Sequence, residues 1–393
     1  MAFQNSLEQL QFAKASKILR CSLKEELRGS ISFLFAPLLM LTACESVYYS
    51  LSFMEFSQER ENYLQILYSQ VVSDLNQVTA VLDTVITNEP NQESPEVIQA
   101  KFLSHLLKHL RQIIVTRKKM IGVYLDLMNR KDTIDYGQLV ENLTGIKNQV
   151  EKEVDHYLMA QLRDNIICEI DLLSKLFLTQ KNISLFKFKD SLFLIYQCKC
   201  EIEALDHKLQ SVDESLADPL EYSVFRFFKT FLASLTAKAC FYFRSGLFNQ
   251  EDNFLTIRPE LDYHKQVMAF VEKTKCFNVS VVVHMSQKAA IGTLSWPRVY
   301  SFPEDSQPDQ HWPNVISLIQ ENKKYLSNFG NSPYYIFDPK VNSSYFIAKV
   351  DKTVFLLAIF NGMIPEQEAD VASFFNSIAF GLRNWNLLEL NKQ

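Results

Sequence analysis

Glycine is scarce in this chain, which has only 9 glycines among its 393 residues. Phosphate-binding loops of the Walker A and dinucleotide types need closely spaced glycines, and neither pattern occurs in the sequence. The nucleophile elbow G-x-S-x-G of many hydrolases is absent as well. Few glycines also leave few positions that accept a positive φ, which favours long helices with short connections. The sequence therefore predicts a helix-rich protein that is not an enzyme and holds no cofactor.

A concentration of positive charge is also lacking. The formal net charge is -5 and the short basic run at 117–119 stands alone, so no footprint for duplex nucleic acid is indicated. The first residues contain no basic region followed by an apolar core, as a secretory signal would. Residue 2 is alanine, where N-myristoylation needs glycine. We therefore expect a cytoplasmic protein with no nucleic-acid partner.

Neither a membrane-spanning run nor a disulfide framework is indicated. The apolar stretch ISFLFAPLLMLTA at 31–43 falls short of the ~20 residues that a membrane helix needs, and Glu45 soon interrupts it. It predicts a buried bundle helix, with Pro37 at a kink or near the helix start. The 7 cysteines are odd in number and scattered, which favours free thiols in a reducing compartment. We expect no transmembrane segment.

Apolar residues at helical spacing dominate the first two-thirds of the chain. The clearest row alternates steps of four and three residues, as a seam of an antiparallel bundle does. Its members are Leu64, Tyr68, Val71, Leu75, Val78, Leu82 and Val85. Ser94 is then placed to cap the next helix, with Pro95 at its first position. The pattern predicts an antiparallel helical bundle domain over residues 1–275.

The pattern changes after Cys276, where 7 of the 12 prolines and several β-branched or aromatic runs occur. Five stretches predict strands, at 278–285, 314–319, 334–338, 343–350 and 353–360. The two residues Asp351 and Lys352 separate the last two stretches, which predicts a tight hairpin. The strand pattern therefore predicts a mostly antiparallel five-stranded sheet.

The closing segment predicts one more helix, since apolar residues from Val371 to Leu382 share one helical face. Residues 286–310, rich in serine, proline and charge, are predicted to form a long loop. The expected fold class is mainly α with a C-terminal α+β domain over 276–393, in which helices flank the sheet.

Two residue pairs resemble parts of metal sites. His105 and His109 are four residues apart and share one helix face, which would supply half of a zinc site. However, the glutamate of the metalloprotease motif is missing between them, and helix packing explains the same spacing. Cys198 and Cys200 are two residues apart in a helical pattern, so their thiols point in different directions. We expect no bound metal.

The stretch DQHWPNVISLI at 309–319 carries the candidate site residues. Asp309 could orient His311 as a general base, but the sequence indicates no nucleophile beside it. Trp312 and Trp296 bracket a proline-rich loop and would suit an interface, where tryptophans often anchor binding. Alternatively, Trp312 packs over the sheet edge while Pro313 fixes the start of a strand. We take Trp296, His311, Trp312 and Pro313 as candidate partner-binding residues and leave the core alternative open.

Five stretches resemble one known family in order and separation. They are VYYSL at 47–51, KACFYF at 238–243, NVSVVV at 278–283, HWPNVI at 311–316 and SSYFIAK at 343–349. Together they are similar to the KICSTOR subunit 2 family, once catalogued as a domain of unknown function. The hexapeptide HWPNVI carries the resemblance most plainly, and it is not a catalytic signature. The 286–310 loop is more compact than in the vertebrate members, so contacts made through longer loops are not implied.

This resemblance implies a non-enzymatic adaptor. Its expected partners are the other KICSTOR subunits, namely kaptin, an integrin-alpha FG-GAP repeat protein and a large scaffold. Through them it would anchor the GATOR-one GTPase-activating complex on the cytosolic face of the lysosomal membrane and restrain TOR complex 1 when nutrients are scarce. Self-association is left open.

Two alternatives come from other functional classes. A membrane-trafficking adaptor or small-GTPase regulator is one, because longin- and roadblock-type domains also combine a five-stranded sheet with helices. A thiol hydrolase using a cysteine with His284 or His311 is the other.

Overall fold

A computed structural model describes most of the chain. The described residues are 6–7, 9–24, 34–54, 62–89, 91, 93–129, 134–210, 223–244, 261–285, 295–306, 308–327 and 332–383. The chain divides into two compact units. The first unit comprises Met1–Phe177 with Cys200–Phe228, and the second comprises Leu178–Lys199 with Lys229–Gln393. The predicted division at residue 275 stays a prediction.

The described residues form twelve α-helices and five β-strands. The helices are α1 Phe12–Lys24, α2 Phe35–Tyr49, α3 Tyr63–Asn88, α4 Pro95–Asn129, α5 Tyr136–Glu153, α6 Ala160–Ser184, α7 Phe188–Gln210, α8 Ser223–Tyr242, α9 Tyr263–Thr274, α10 Trp312–Glu321, α11 Lys323–Ser327 and α12 Ala369–Leu382. The strands are β1 Asn278–Val283, β2 Arg298–Phe302, β3 Tyr334–Asp338, β4 Ser343–Lys349 and β5 Val354–Asn361. A mainly α fold with a C-terminal α+β part is thereby confirmed.

The heptad-like seam lies on α3, as predicted. Its first six members, from Leu64 to Leu82, are buried, while Val85 near the helix end is exposed. The next helix begins at Pro95, and the Ser94 hydroxyl accepts a hydrogen bond from the backbone N–H of Val97 at 3.3 Å. The cap prediction is therefore confirmed, because this bond satisfies one of the N–H groups left free at a helix start.

Residues 35–43 of the apolar stretch lie in α2, a 15-residue helix in which Pro37 is in the first turn, and residues 31–33 lie outside the described residues. Glu45 interrupts the apolar run in sequence, but the helix continues through it to Tyr49, and the Glu45 side chain is itself buried. Within the described ranges, no helix combines the length and apolar character that crossing a bilayer requires.

All five strands belong to one sheet with the order β2-β1-β5-β4-β3, and every neighbouring pair is antiparallel. This confirms the predicted antiparallel sheet. The connection between β4 and β5 is slightly longer than predicted. Val350 donates its N–H to the Val354 carbonyl at 2.9 Å, which leaves a loop of residues 351–353.

Both faces of the sheet are covered by helices of the second unit. On one face, Tyr345, Ile347 and Leu357 pack with Val315 and Ile319 of α10 in one buried cluster. The opposite face contacts α9 and α12. There Phe270 stacks on Phe374 with ring centroids 3.8 Å apart, Phe346 packs against Phe375, and Val371 and Leu382 of α12 are buried. Coverage on both faces explains why β4 and β5 are apolar at successive positions rather than alternating.

The predicted strand at 314–319 is wrong, because this stretch is helical and belongs to α10. Pro313 lies at the helix start, where its missing N–H costs no intrahelical bond. Trp312, Val315 and Ile319 are spaced by three and four residues and are buried on one face. A short apolar run fits the spacing of a strand as well as that of a helix. In this stretch the buried residues follow the helical spacing.

The missing strand comes from the segment for which a loop is predicted. Residues Arg298–Phe302 form β2 at the sheet edge, so the loop prediction over 286–310 is wrong there. Only Tyr300 of these five residues is buried, which leaves a weak strand pattern in the sequence. The segments 286–294 and 307 lie outside the described residues.

Candidate functional site

His311 links the start of α10 to the sheet. Its Nδ1 atom is hydrogen-bonded to the hydroxyl of the buried Tyr345 at 2.8 Å. Burial lowers the pKa of His311, which favours the neutral imidazole at pH 7. On the next turn, Asn314 donates to Asp338 of β3 at 2.9 Å. These contacts fix α10 over β3 and β4, and they account for His311 without a catalytic partner.

Trp312 and Trp296 both lie in the core of the second unit. Their side chains are 8% and 5% exposed and belong to the same buried cluster. Arg298 lies 5.1 Å from the centre of the Trp312 ring and donates to Asp309 at 2.8 Å. The interpretation of both indoles as exposed loop anchors is therefore wrong, since the surrounding apolar structure buries them. A contact of this region with a partner stays a prediction.

The four candidate residues thus differ in their exposure to solvent. The structure brings Trp296 and Trp312 together beneath the surface, leaves His311 half-buried and leaves Pro313 exposed. Of the four candidates, Pro313 is therefore the one that is exposed to a partner. The neighbouring His284 ring stacks on Trp296 at 4.4 Å, where the two side chains form part of the wall of a cavity.

A buried ionic cluster in the first unit is not predicted by the sequence patterns. Arg117 of α4 donates to Glu45 of α2 at 3.1 Å and to Glu169 of α6 at 2.6 Å. Its third nitrogen donates to the Tyr49 hydroxyl at 2.6 Å. The guanidinium carbon also lies 4.4 Å from the centre of the Tyr48 ring. One arginine therefore joins two helices that carry carboxylates.

Tyrosine hydroxyls complete this cluster, because two carboxylates face only one cation. Tyr68 donates to Glu45 at 2.7 Å, Tyr124 donates to Glu169 at 3.0 Å, and Tyr48 also donates to Glu169. Burial and then the neighbouring carboxylates raise the pKa of all three tyrosines, so they remain protonated donors. The cluster can hold helices in register, since displacing Arg117 would leave two buried carboxylates without their cation.

A signal for this cluster is present in the sequence. Arg117 lies three residues after the buried Ile114 and four before the buried Ile121, so it occupies a core position of α4. Its place in a short basic run with Lys118 and Lys119 gives no sign of this, although its side chain is buried. A cation at an apolar position of a long helix indicates buried carboxylate partners, but the sequence does not identify those partners.

His105 and His109 are joined by a third histidine that the spacing does not reveal. The two Nε2 atoms are 3.3 Å apart, and His109 Nε2 is also 3.3 Å from the Asp155 carboxylate. His156 packs 5.3 Å from the His105 ring. Among the described residues, no group of three or more histidine, cysteine, aspartate or glutamate side chains is placed to hold a metal ion. The prediction of no bound metal is left for elemental analysis.

All seven cysteines are free thiols, as expected. Cys198 is buried and Cys200 is exposed, which confirms that they point in different directions. Burial raises the pKa of Cys44 and of Cys276 to about 12, and that of Cys240 to about 11. These three thiols stay protonated near pH 7, whereas a nucleophilic cysteine needs a lowered pKa.

Comparison with known proteins agrees with the resemblance of the five short stretches. The chain matches the family described as KICSTOR complex C12orf66 like over residues 2–392. A KICSTOR subunit 2 of Danio rerio is 24% identical over 390 residues, which cover 89% of this chain and 85% of the relative. One of Xenopus laevis is 24% identical over 392 residues, which cover 90% and 86%. The family resemblance is thereby confirmed, and the chain belongs to the KICSTOR complex C12orf66-like family.

Proposed function

We propose that this chain is a non-enzymatic adaptor subunit of a KICSTOR-like complex. In this role it anchors the GATOR-one GTPase-activating complex at the lysosome and restrains TOR complex 1 when nutrients are scarce. The observation that carries the proposal is the family match over residues 2–392, because the family is named for a complex and its relatives are named as subunits. Kaptin, the FG-GAP repeat protein and the large scaffold are the proposed partners.

The described side chains support an adaptor better than a thiol hydrolase. A cysteine nucleophile needs a thiolate beside an orienting base. Burial instead raises the pKa of Cys44, Cys240 and Cys276. The rival histidines also have structural contacts, since His284 stacks on an indole and His311 bonds to a tyrosine hydroxyl. A cysteine-reactive activity probe tests this point, because labelling of a cysteine much faster than the exposed thiols of Cys21 and Cys200 would favour the hydrolase.

The assembly is tested by recovering partners of the tagged full-length chain from the source cell. We expect the large scaffold, kaptin and the FG-GAP repeat protein in the recovered complex. Deleting the chain should release GATOR-one from lysosomes and leave TOR complex 1 active during starvation. Recovery of coat or tether proteins in place of the scaffold would contradict the proposal and favour a trafficking adaptor. The five-stranded sheet flanked by helices supports that alternative only by analogy of fold.

We also propose that the surface at Pro313 contributes to assembly. Pro313→Glu would place a charge on this surface while keeping α10 folded, since an acidic residue is favourable in the first turn of a helix. The matched control is Pro339→Glu, which changes another exposed proline of the second unit. Loss of scaffold recovery for Pro313→Glu, with recovery kept in the control, is expected. Equal recovery for both variants would rule this surface out.

A further inference from the structure

The turn between α6 and α7, which belongs to the second unit, presents apolar side chains to solvent. Leu185 follows the end of α6 and is 57% exposed, and Phe193 on the second turn of α7 is 62% exposed. Tyr196, which lies one turn further along, is 57% exposed. Phe193 and Tyr196 are three residues apart and therefore share one face of the helix. Three large apolar side chains thus lie in water near this turn.

Positive charge accompanies these apolar side chains. Lys181, Lys187 and Lys189 are exposed, and within the described part of the chain none of the three forms an ion pair. Asp190 is the only acidic residue between positions 181 and 196. We call the three apolar side chains and the three lysines together the α6–α7 surface. This surface is both apolar and positively charged.

The turn is held in place by aromatic residues that pack inside the second unit. Phe186 stacks on Tyr242 with ring centroids 5.4 Å apart, and Phe188 packs against Phe243 at 5.3 Å. On the opposite face of α7, Ile195 is buried. These contacts fix the start of α7 on the end of α8. The exposed side chains are therefore presented by a fixed backbone, which lowers the entropy cost of binding.

The composition of the α6–α7 surface favours an anionic bilayer over a protein partner. Protein interfaces are depleted in lysine and enriched in arginine, whereas residues 181–196 contain three lysines and no arginine. Lysines are attracted to anionic headgroups, and apolar and aromatic side chains enter the boundary between headgroups and acyl chains. The long apolar stem of a lysine lets its ammonium group reach the headgroups while neighbouring rings are buried.

We propose that the α6–α7 surface binds an anionic lipid bilayer. Leu185 and Phe193 enter the headgroup layer, while Lys181, Lys187 and Lys189 contact negatively charged headgroups. The contact reaches only the interface of the bilayer, because the apolar side chains extend from a short turn and one helix face. This inference goes beyond the proposed adaptor function and does not depend on it, since the chain itself binds the lipid.

Binding is measured by co-sedimentation of the purified full-length chain with vesicles. One set of vesicles contains phosphatidylcholine alone, and the other contains phosphatidylcholine mixed with phosphatidylserine. We expect preferential binding to the phosphatidylserine vesicles, and this binding should weaken as the salt concentration rises, because salt screens the attraction between lysines and headgroups. Equal binding to both sets of vesicles, or binding to neither, overturns the proposal.

Phe193→Gln tests the apolar contact without changing the charge. It should weaken binding to phosphatidylserine vesicles about tenfold, the equivalent of ~1.4 kcal/mol. The matched control is Met363→Gln, which changes a side chain of the second unit that is 73% exposed. Tyr242, beside the turn, donates to Asp351 ahead of β5 at 2.9 Å, whereas Met363 follows the other end of that strand. The control should bind as the unmodified chain does, and equal weakening in both variants overturns the proposal.

Lys187→Gln tests the charge. A lysine close to an anionic surface strengthens binding by about fivefold, so the variant should bind phosphatidylserine vesicles about fivefold more weakly. The matched control Lys340→Gln removes the same charge from an exposed position shortly before β4. Its binding should stay unchanged. A loss of the same size in both variants, or in neither, contradicts the proposed contact.

Thermal unfolding without vesicles controls for folding. Phe193 and Lys187 are exposed, so both variants should keep the Tm of the unmodified chain. If Phe193→Gln lowers the Tm, Lys187→Gln decides, because a lysine surrounded by water does not support the fold. A protein partner is distinguished by recovery from cells. Variants that bind vesicles normally but no longer recover the scaffold would assign the surface to a protein and overturn the proposal.

Discussion

Arg117 Nη1 and Glu169 Oε2 lie 2.6 Å apart in the interior of the first unit, with side chains only 3% and 5% exposed. The two residues are on α4 and α6, 52 positions apart in the sequence. Glu45 of α2 holds a second nitrogen of the same guanidinium. The core of this unit therefore contains a cluster of buried charged side chains in addition to its apolar seams. One arginine of α4 pairs with carboxylates of α2 and α6.

Removing this arginine should destabilise the first unit strongly. Arg117→Met leaves Glu45 and Glu169 buried without their cation, and breaking such a pair costs roughly 3–5 kcal/mol. Chemical denaturation of the full chain measures the effect. The matched control is Arg111→Met on the same helix, where the arginine bonds to Asn76 in an exposed pair. A loss as small for Arg117→Met as for the control would contradict the assigned role.

Trp312→Ala should lower stability, because the indole is part of the buried cluster above the sheet. Truncating a buried tryptophan costs about 3–5 kcal/mol through lost packing and a residual cavity. Pro313→Ala, the neighbouring exposed position, should change stability little. Thermal midpoints and scaffold recovery are measured together for both variants. An unchanged midpoint for Trp312→Ala with lost recovery would instead make the indole a docking residue.

Lys238 should be essential to the second unit. Its ammonium is fully buried, contacts Asp351 at 2.8 Å and donates to the Leu382 carbonyl at 2.7 Å. Lys238→Met leaves the Asp351 carboxylate without its cation in a largely buried site, so a loss of about 3 kcal/mol or more is expected.

An exposed ion pair in the same unit provides the comparison for Lys238. Lys273 pairs with Asp370 at 2.7 Å with both side chains accessible to water, and such pairs contribute only ~0–1 kcal/mol. Lys273→Met should therefore be nearly neutral in chemical denaturation. Equal losses of stability for Lys238→Met and Lys273→Met would show that the burial of Lys238 does not increase the contribution of its ion pair.

Stability should fall as the pH drops below about 6.5, the ordinary pKa of histidine. Burial lowers the pKa of His156, His264, His284 and His311 in the folded chain. The unfolded chain then binds protons that the folded chain does not, so this contribution to stability is present above the ordinary pKa and is lost as the pH falls through the folded values.

The measurement for these histidines is the free energy of unfolding at pH 7.5 and pH 5.5. The double variant His264→Gln with His311→Gln should lose less stability between the two pH values than the unmodified chain. His207→Gln, at an exposed position of α7, should leave the difference unchanged. If the double variant and the unmodified chain lost the same stability between the two pH values, His264 and His311 would not be a cause of the pH dependence.

Local patterns predict α2, α3, α4, α12 and four of the five strands because their signals are short-range. The seam on α3, the cap at Ser94 and the apolar face of α12 each depend on residues a few positions apart. Where the local signal was ambiguous, the prediction failed. Val315 and Ile319 fit a buried strand or one face of a helix, and packing of that face onto the sheet selected the helix.

The sequence predicts less of the candidate site than of the fold. HWPNVI identified the family resemblance, but residues 311–316 do not indicate that Trp312 is covered by the sheet and that Pro313 remains exposed. That depends on β4, which supplies Tyr345 as the partner of His311. The sequence does not indicate the cavity beside Trp296 either, because its lining residues His284, Leu326 and Phe355 are far apart in the sequence.

The helical periodicity, the antiparallel hairpin of β4 and β5 and the family to which the chain belongs can be inferred from the amino-acid sequence alone. These follow from apolar spacing, turn residues and short motifs that act within one element. Which charges are buried, and which residues share a site, depends on the tertiary structure. Folding brings Arg117 to Glu169 and Lys238 to Asp351. The free energy of a charge depends on its surroundings in three dimensions, and those surroundings come from distant parts of the chain.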